Sequence, residues 1–339
     1  MRILFWGTPA YALPSLDGLH AAGHELVGVV TQPDRRRGRG SGLQPSAVKA
    51  RAVELGIPVF TPERIRRDQA MQRTLAELRP DLSVVVAFGQ ILPPAVLQTP
   101  PLGCWNAHGS LLPRWRGAAP IQWCLLEGDR HTGVGIMAME EGLDTGPVLL
   151  EESLAVGLSE NASDLATRLA GLSARLLTEA VDRIAAVGSG RESDRHQRLG
   201  LRPQSSEGIT HARPLGKDDF VIDWNGSALA IHRRIMGLHP AAWCVHQGQR
   251  LRLLASEPLV ERLSDQLSPE AAALVGRWGG EQSAAAGTVL ALEEGVGAVL
   301  ATGGCPLLVR EGQLPGRRPT GGTALLQQLS LKVGENINS

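Results

Sequence analysis

Met1–Thr31 reads MRILFWGTPAYALPSLDGLHAAGHELVGVVT, and the way this run is broken decides the fold. Arg2 to Trp6 is a short apolar run with the character of a buried strand. Gly7-Thr8-Pro9 is a turn, Ala10 to Ala22 predicts a helix, and Leu26 to Thr31 predicts a second strand. Strand, turn, helix, strand is the start of an alternating α/β chain, whose strands pair in parallel with helices on both faces of the sheet.

The alternation continues outward. Ser46 to Leu55 and Asp68 to Leu78 predict helices, and Pro58–Phe60, Leu82–Val86 and Cys104–His108 predict strands. Between Asp81 and Arg114 the chain carries no Asp, Glu, Lys or Arg. Pro93, Pro94, Pro100, Pro101, Gly89 and Gly103 interrupt that stretch too often for a bilayer helix, so it predicts buried strands joined by loops. The first domain is therefore expected to be a Rossmann-like, mostly parallel sheet over residues 1–187.

Leu165, Leu169, Leu172, Leu176, Val181 and Ile184 recur at helical spacing and predict one long helix. Residues 188–207 turn polar and irregular and read as a linker. From 208 to 339 short strands alternate with Gly-rich turns: Phe220–Trp224, Trp243–Val245, Arg250–Leu254, Thr288–Leu292, Val296–Ala301 and Leu307–Val309. With a helix at Ser227–Met236, that pattern predicts a small OB-like β-barrel. Leu263 to Ala286 reads as a loose insertion within it.

The 339 residues are 43% hydrophobic, enough for two cores. Lys plus Arg and Asp plus Glu each total 34, so no global field draws nucleic acid or membrane. Cys104, Cys124, Cys244 and Cys305 are scattered among apolar neighbours and form no CxxC pair, which fits free thiols in a reducing compartment. The opening apolar run is too short for a signal peptide, so a cytoplasmic protein is expected. Gly7-Thr8-Pro9-Ala10 lacks the glycine fingerprint of dinucleotide binding, and no GxxxxGK[ST] or GxSxG occurs. With no HExxH and no Cys/His cluster, no metal site is expected.

Asn106 and His108 fall at the end of a predicted strand, where open α/β sheets bind ligands. Two residues apart on an extended strand, both side chains leave one face. Asn-x-His alone is more often a satisfied turn than a catalytic pair. Asp144 changes the balance: glycines at 142 and 146 form a loop able to bring its carboxylate against a neighbouring strand. Amide, imidazole and carboxylate together can stabilise an oxyanion and move a proton.

These residues carry a resemblance. Asn106-x-His108, Ser110-Leu111-Leu112-Pro113-Arg114-x-Arg116-Gly117 and Leu143-Asp144-Thr145-Gly146 resemble the signature of folate-dependent formyltransferases. Gly7-Thr8-Pro9, Thr31-Gln32-Pro33-Asp34-Arg35, Gly38-Arg39-Gly40, Pro45-Ser46-x-Val48-Lys49 and Gly117-Ala118-Ala119-Pro120-Ile121-Gln122 match it too, and the chain resembles the family along nearly its full length. Two features depart from it: His211-Ala212-Arg213-Pro214, where the family has Tyr-Ala-x-Lys, and the Leu263 to Ala286 insertion.

The resemblance implies 10-formyltetrahydrofolate as formyl donor and, as acceptor, the α-amine of methionine esterified to initiator tRNA. It implies that Asn106 and protonated His108 donate to the developing oxyanion while Asp144 orients His108 and helps move the proton. It makes Ser110, Leu111, Leu112 and Pro113 a folate-facing wall, with Phe88, Gly89, Gln90, Ile91 and Leu92 flanking the pterin. Arg35, Arg36, Arg37, Arg39 and Lys49 become contacts to tRNA, and the C-terminal barrel a guide for the acceptor arm. Its net charge, twelve basic against twelve acidic residues over 208–339, merely permits that role. A monomer is expected. Another amine acceptor, a sugar or ribonucleotide, and a non-catalytic RNA-binding protein on the same fold are the competing readings.

Overall fold

The computed structural model describes residues 1–36 and 42–337. They divide into two compact units, one of residues 1–120, 131–154 and 166–213, the other of 121–130, 155–165 and 214–339.

The first unit opens with β1 (Arg2–Gly7), α1 (Leu13–Ala21), β2 (Glu25–Val30), the short hairpin strands β3 (Arg35–Arg36) and β4 (Leu43–Gln44), α2 (Ala47–Glu54) and β5 (Val59–Phe60). It continues through α3 (Gln69–Glu77), β6 (Leu82–Val86), α4 (Pro94–Leu97), β7 (Cys104–His108) and β8 (Arg116–Gly117). After α5 (Pro120–Glu127), whose residues from 121 on belong to the second unit, come β9 (His131–Ala138), β10 (Val148–Ala155), α6 (Ala162–Val187), α7 (Glu192–Leu199) and β11 (His211–Ala212). The main sheet runs β10-β9-β7-β6-β1-β2-β5. β1 is parallel to β2 and β6, β6 to β7, and β2 to β5, whereas β9 is antiparallel to β7.

β1 shows why the strand runs are apolar throughout. Leu4 and Trp6 point into a cluster with Val27, Val30, Val85 and Phe88, while the alternate residues Ile3 and Phe5 are just as buried. A parallel sheet buried on both faces demands this continuous apolar run. Trp6 meets Phe88 edge-on, centroids 5.2 Å apart. Removing such a ring costs about 3–5 kcal/mol.

Strands β9 and β10 lie outside the expected set. β9 is interrupted by Gly133 and Gly135, which blur its strand signal. Gly133 is required sterically: a Cβ there would sit 2.1 Å from the carbonyl oxygen of Glu152. Residues 188–207, expected as a linker, carry α7 and fall within the first unit.

The second unit holds α8 (Ala228–Gly237), β12 (Trp243–His246), β13 (Gln249–Pro258), α9 (Pro269–Trp278), β14 (Val289–Glu293), β15 (Gly297–Leu300), β16 (Leu307–Gln313), β17 (Thr320–Gly321) and α10 (Gly322–Leu329). Its antiparallel sheet runs β12-β13-β16-β15-β14, with β17 on β16. The small OB-like barrel expected here corresponds to this antiparallel sheet domain. Phe220–Trp224, expected as a strand, is a 3₁₀ turn followed by a single bridge from Val221 to Trp243. The expected loose insertion is ordered. Ala298, Leu300, Leu307 and Val309 face a core with Ile231 and Ile235 of α8, and the alternate Val299 and Leu308 face Ala271 and Val275 of α9. The insertion therefore covers the sheet's second face. Among the described residues, no helix is long and apolar enough to cross a membrane.

Candidate active site

β1 is the strand at which the order of the parallel sheet reverses, with β2 on one side and β6 on the other. Ligands bind at such a switch point, beyond the carboxyl ends of the strands. A cavity of about 310 Å³ opens there, with Thr8, Gln32, Arg35, Ser46, Ala87 and Gly89 in its lining. The Phe88 carbonyl accepts hydrogen bonds from Thr8 Oγ1 (3.0 Å) and Gln32 Nε2 (3.1 Å), tying the three strand ends together.

One strand further along, β7 delivers Asn106 and His108 to the same edge of the sheet. The loop after β9 brings Asp144 to them. Its Oδ1 accepts from Asn106 Nδ2 (3.4 Å), its Oδ2 accepts from the Gly117 amide (2.8 Å), and Oδ2 lies 3.6 Å from His108 Nδ1. Gly146 lets the loop return, because a Cβ there would sit 1.8 Å from the Ala138 carbonyl oxygen. The other imidazole nitrogen, Nε2, is 2.8 Å from the carbonyl of Trp115. A carbonyl only accepts, so Nε2 carries the proton and Nδ1 faces Asp144. His108 is buried and the Asp144 side chain is 13% exposed, while Asn106 is half-buried. Ala87, Trp115 and Asp144 all have positive φ, at 49°, 62° and 53°. Left-handed backbone at non-glycine residues costs roughly 1–3 kcal/mol each and gathers at functional sites.

The structure thus brings Asn106, His108 and Asp144 together. The flanking segments divide. Ser110 donates its hydroxyl to the Arg114 carbonyl (2.6 Å), closing its own loop, and Leu112 packs on Met137 and Val148. Leu111 and Pro113 are half-buried. Phe88 and Leu92 belong to the core, and Gln90 holds residues 62–65 through Ile65 N, Pro62 O and Glu63 O. Gly89 and Ile91 are exposed. Arg35 and Arg36 are exposed on β3, which pairs with β4, and Lys49 forms an ion pair with Asp34 at 2.7 Å. Arg37 and Arg39 lie outside the described residues. Three participants were missed: the Trp115 carbonyl, the Gly117 amide and Gln204, which binds the Asp144 loop. Of these only Gly117 left a signal, as the glycine that ends the Arg114-x-Arg116-Gly117 motif.

The thiol nearest in sequence is no nucleophile. Cys104 is buried, and burial pushes its pKa up to about 12. Among the described residues, no group of three or more His, Cys, Asp or Glu is placed to hold a metal ion. In the second unit a cavity of about 350 Å³ has Arg130, Arg233 and Arg262 in its lining.

Residues 1–181 match the formyl transferase family, and residues 214–330 match the formyl transferase C-terminal domain. The chain belongs to the formyl transferase family. Within that family it falls with the methionyl-tRNA formyltransferases. It is 64% identical to the one from Synechococcus sp. (strain RCC307) over 97% of this chain and 100% of that protein. It is 61% identical to the one from Synechococcus sp. (strain WH7803) over 99% and 98%. More distant likenesses bear on the fold alone. A sugar 3N-formyl transferase has a TM-score of 0.59 at 14% identity, covering 94% of this chain and 99% of that one. HypX from Aquifex aeolicus, crystallised with tetrahydrofolic acid, has a TM-score of 0.59 at 15% identity, covering 99% of this chain and 48% of that one.

Proposed function

We propose that this protein transfers the formyl group of 10-formyltetrahydrofolate to the α-amine of methionyl initiator tRNA, as a cytoplasmic monomer. The observation that carries the reading is the Asp144 carboxylate, set against the Asn106 amide, the His108 imidazole and the Gly117 N–H at the end of β7. 10-Formyltetrahydrofolate supplies the formyl carbon. The residues fit that group: Asn106 spends one amide hydrogen on Asp144 and keeps the second for the formyl oxygen. His108, its Nε2–H fixed on Trp115, exchanges protons only through Nδ1. In the protonated state Nδ1–H donates to the oxygen on which negative charge builds, with Asp144 holding the cation. In the neutral state it takes a proton released by the attacking amine and passes it toward the departing nitrogen.

An α-amine titrates at about 7.7–8.0, and esterification of the neighbouring carboxyl lowers it, so the nucleophile is neutral without a strong base. Exposed Ile91 and Leu143 offer apolar surface for the pterin. The cavity beside Arg35 and Gln44 suits the aminoacyl end of the tRNA, and the arginines of the second unit suit its phosphates.

The test is formyl transfer from 10-formyltetrahydrofolate to three acceptors: charged initiator tRNA, charged elongator tRNA and an amino sugar nucleotide. The reading expects strong preference for the initiator. Equal use of both tRNAs, or transfer only to the sugar, overturns it.

A further inference from the structure

We infer that Gln204 is a positioning residue for the transfer, holding the Asp144 loop in the one geometry that aims its carboxylate at His108. The inference rests on the site proposed above. Gln204 lies in the polar stretch after α7, sixty residues from Asp144 in sequence. Its Nε2 donates to two backbone carbonyls of the loop, those of Asp144 and Gly146, each at 2.8 Å. Its Oε1 accepts from both Nε (3.0 Å) and Nη2 (2.7 Å) of Arg116. Arg116 adjoins both Gly117, whose amide binds the Asp144 carboxylate, and Trp115, whose carbonyl binds His108.

One side-chain amide therefore joins the two loops that carry the reacting groups. All four of its hydrogen-bonding positions are used, and its orientation is forced, since only the NH₂ end can face two carbonyls and only the oxygen a guanidinium. The loop needs such a fastener. Asp144 sits in left-handed backbone at φ 53°, a conformation a free loop would leave. Its other local ties are the backbone bond from Ala138 N to the Pro147 carbonyl (3.0 Å), at the base of the loop, and the exposed contact from Thr145 Oγ1 to Glu140. Releasing the Gln204 staple leaves the Asp144 carboxylate held only by Asn106 Nδ2 and the Gly117 amide, on a backbone no longer fixed against Arg116, so its aim at Nδ1 loosens. Misplacement of a reacting group by about 1 Å costs on the order of 10²-fold in rate.

The experiment uses the full-length protein with Gln204→Ala and Gln204→Glu. Glutamate fills the same space and keeps the Arg116 contact, so it serves as the folded variant should alanine not fold. It loses both N–H donors and turns an oxygen toward two carbonyls. A staple is lost in both variants, whereas a residue that only partners Arg116 is rescued by glutamate. The expected result is a fall in kcat of about tenfold or more in both, with KM for charged initiator tRNA little changed. Because Gln204 acts through Asp144, adding Gln204→Glu to Asp144→Asn should slow the enzyme by less than about twofold further. Parent-like kcat in Gln204→Glu, or a full multiplicative loss on the Asp144→Asn background, overturns the inference. A parent protein inactive on charged initiator tRNA instead overturns the functional reading beneath it.

Discussion

His108 has one ring nitrogen committed and one available, and the commitment is made by backbone. The left-handed turn at Trp115, φ 62°, points its carbonyl at Nε2 and so fixes which nitrogen faces Asp144. A heteronuclear NMR experiment on ¹⁵N-histidine-labelled protein should find the neutral His108 ring protonated on Nε2. A ring protonated on Nδ1 would contradict the proton path. Much of this site was legible. Asn106 and His108 share a face because strands alternate, and the glycines around Asp144 announced a loop that closes tightly. The Trp115 carbonyl and the Gly117 amide were not legible, because every residue has such groups and only folded dihedrals aim them. The Asp34–Lys49 pair was hidden for a related reason: pattern shows a charge but not its partner.

Among the elements, α9 shows how an insertion becomes structure. Its N-cap Ser268 donates through backbone N (2.7 Å) and Oγ (2.8 Å) to the buried carboxylate of Glu257 on β13. Arg310 of β16 pairs with that carboxylate at 2.5 Å. Breaking a buried pair by removing one partner leaves a charge poorly compensated, which costs about 3–5 kcal/mol, less where one partner is partly exposed, as Arg310 is. Arg310→Met should therefore destabilise the protein by about 2–4 kcal/mol and speed hydrogen exchange across residues 269–278 before the rest of the sheet. Unchanged protection there would mean that the apolar contacts of Ala271 and Val275 alone hold the helix. In sequence, β1, β2, β6 and β7 were legible because burial on both faces makes them unbroken apolar runs. β9 was not, since close approach to β10 replaces side chains with glycines. The polar surface of α7 disguised a helix whose Arg195 is nonetheless buried and donates to the Pro101 carbonyl at 2.9 Å.

At the scale of the whole molecule, neither unit is one continuous length of chain. The second unit takes residues 121–130 and 155–165 from the midst of the first. Leu126 packs against its core, and the Cα of Gly237 presses so close that a Cβ there would meet Leu125 Cβ at 3.1 Å. A fragment of residues 208–339 lacks those contacts. It should bind a hydrophobic dye and melt without cooperativity, and a sharp melt matching the intact protein's would show the borrowed segments to be dispensable. Sequence reading could not see the borrowing, because the contributed segments follow the α/β rhythm around them. The central claim is that Asn106, His108 and Asp144 carry out formyl transfer as one group. Its most direct test is the single-turnover rate of formyl transfer to charged initiator tRNA, with both substrates saturating, in Asn106→Ala, His108→Ala and Asp144→Asn. The account predicts a slowing on the order of 10²–10³ in each variant, with tRNA affinity retained, and a variant of His108 or Asp144 that transfers within about threefold of the parent rate would contradict it.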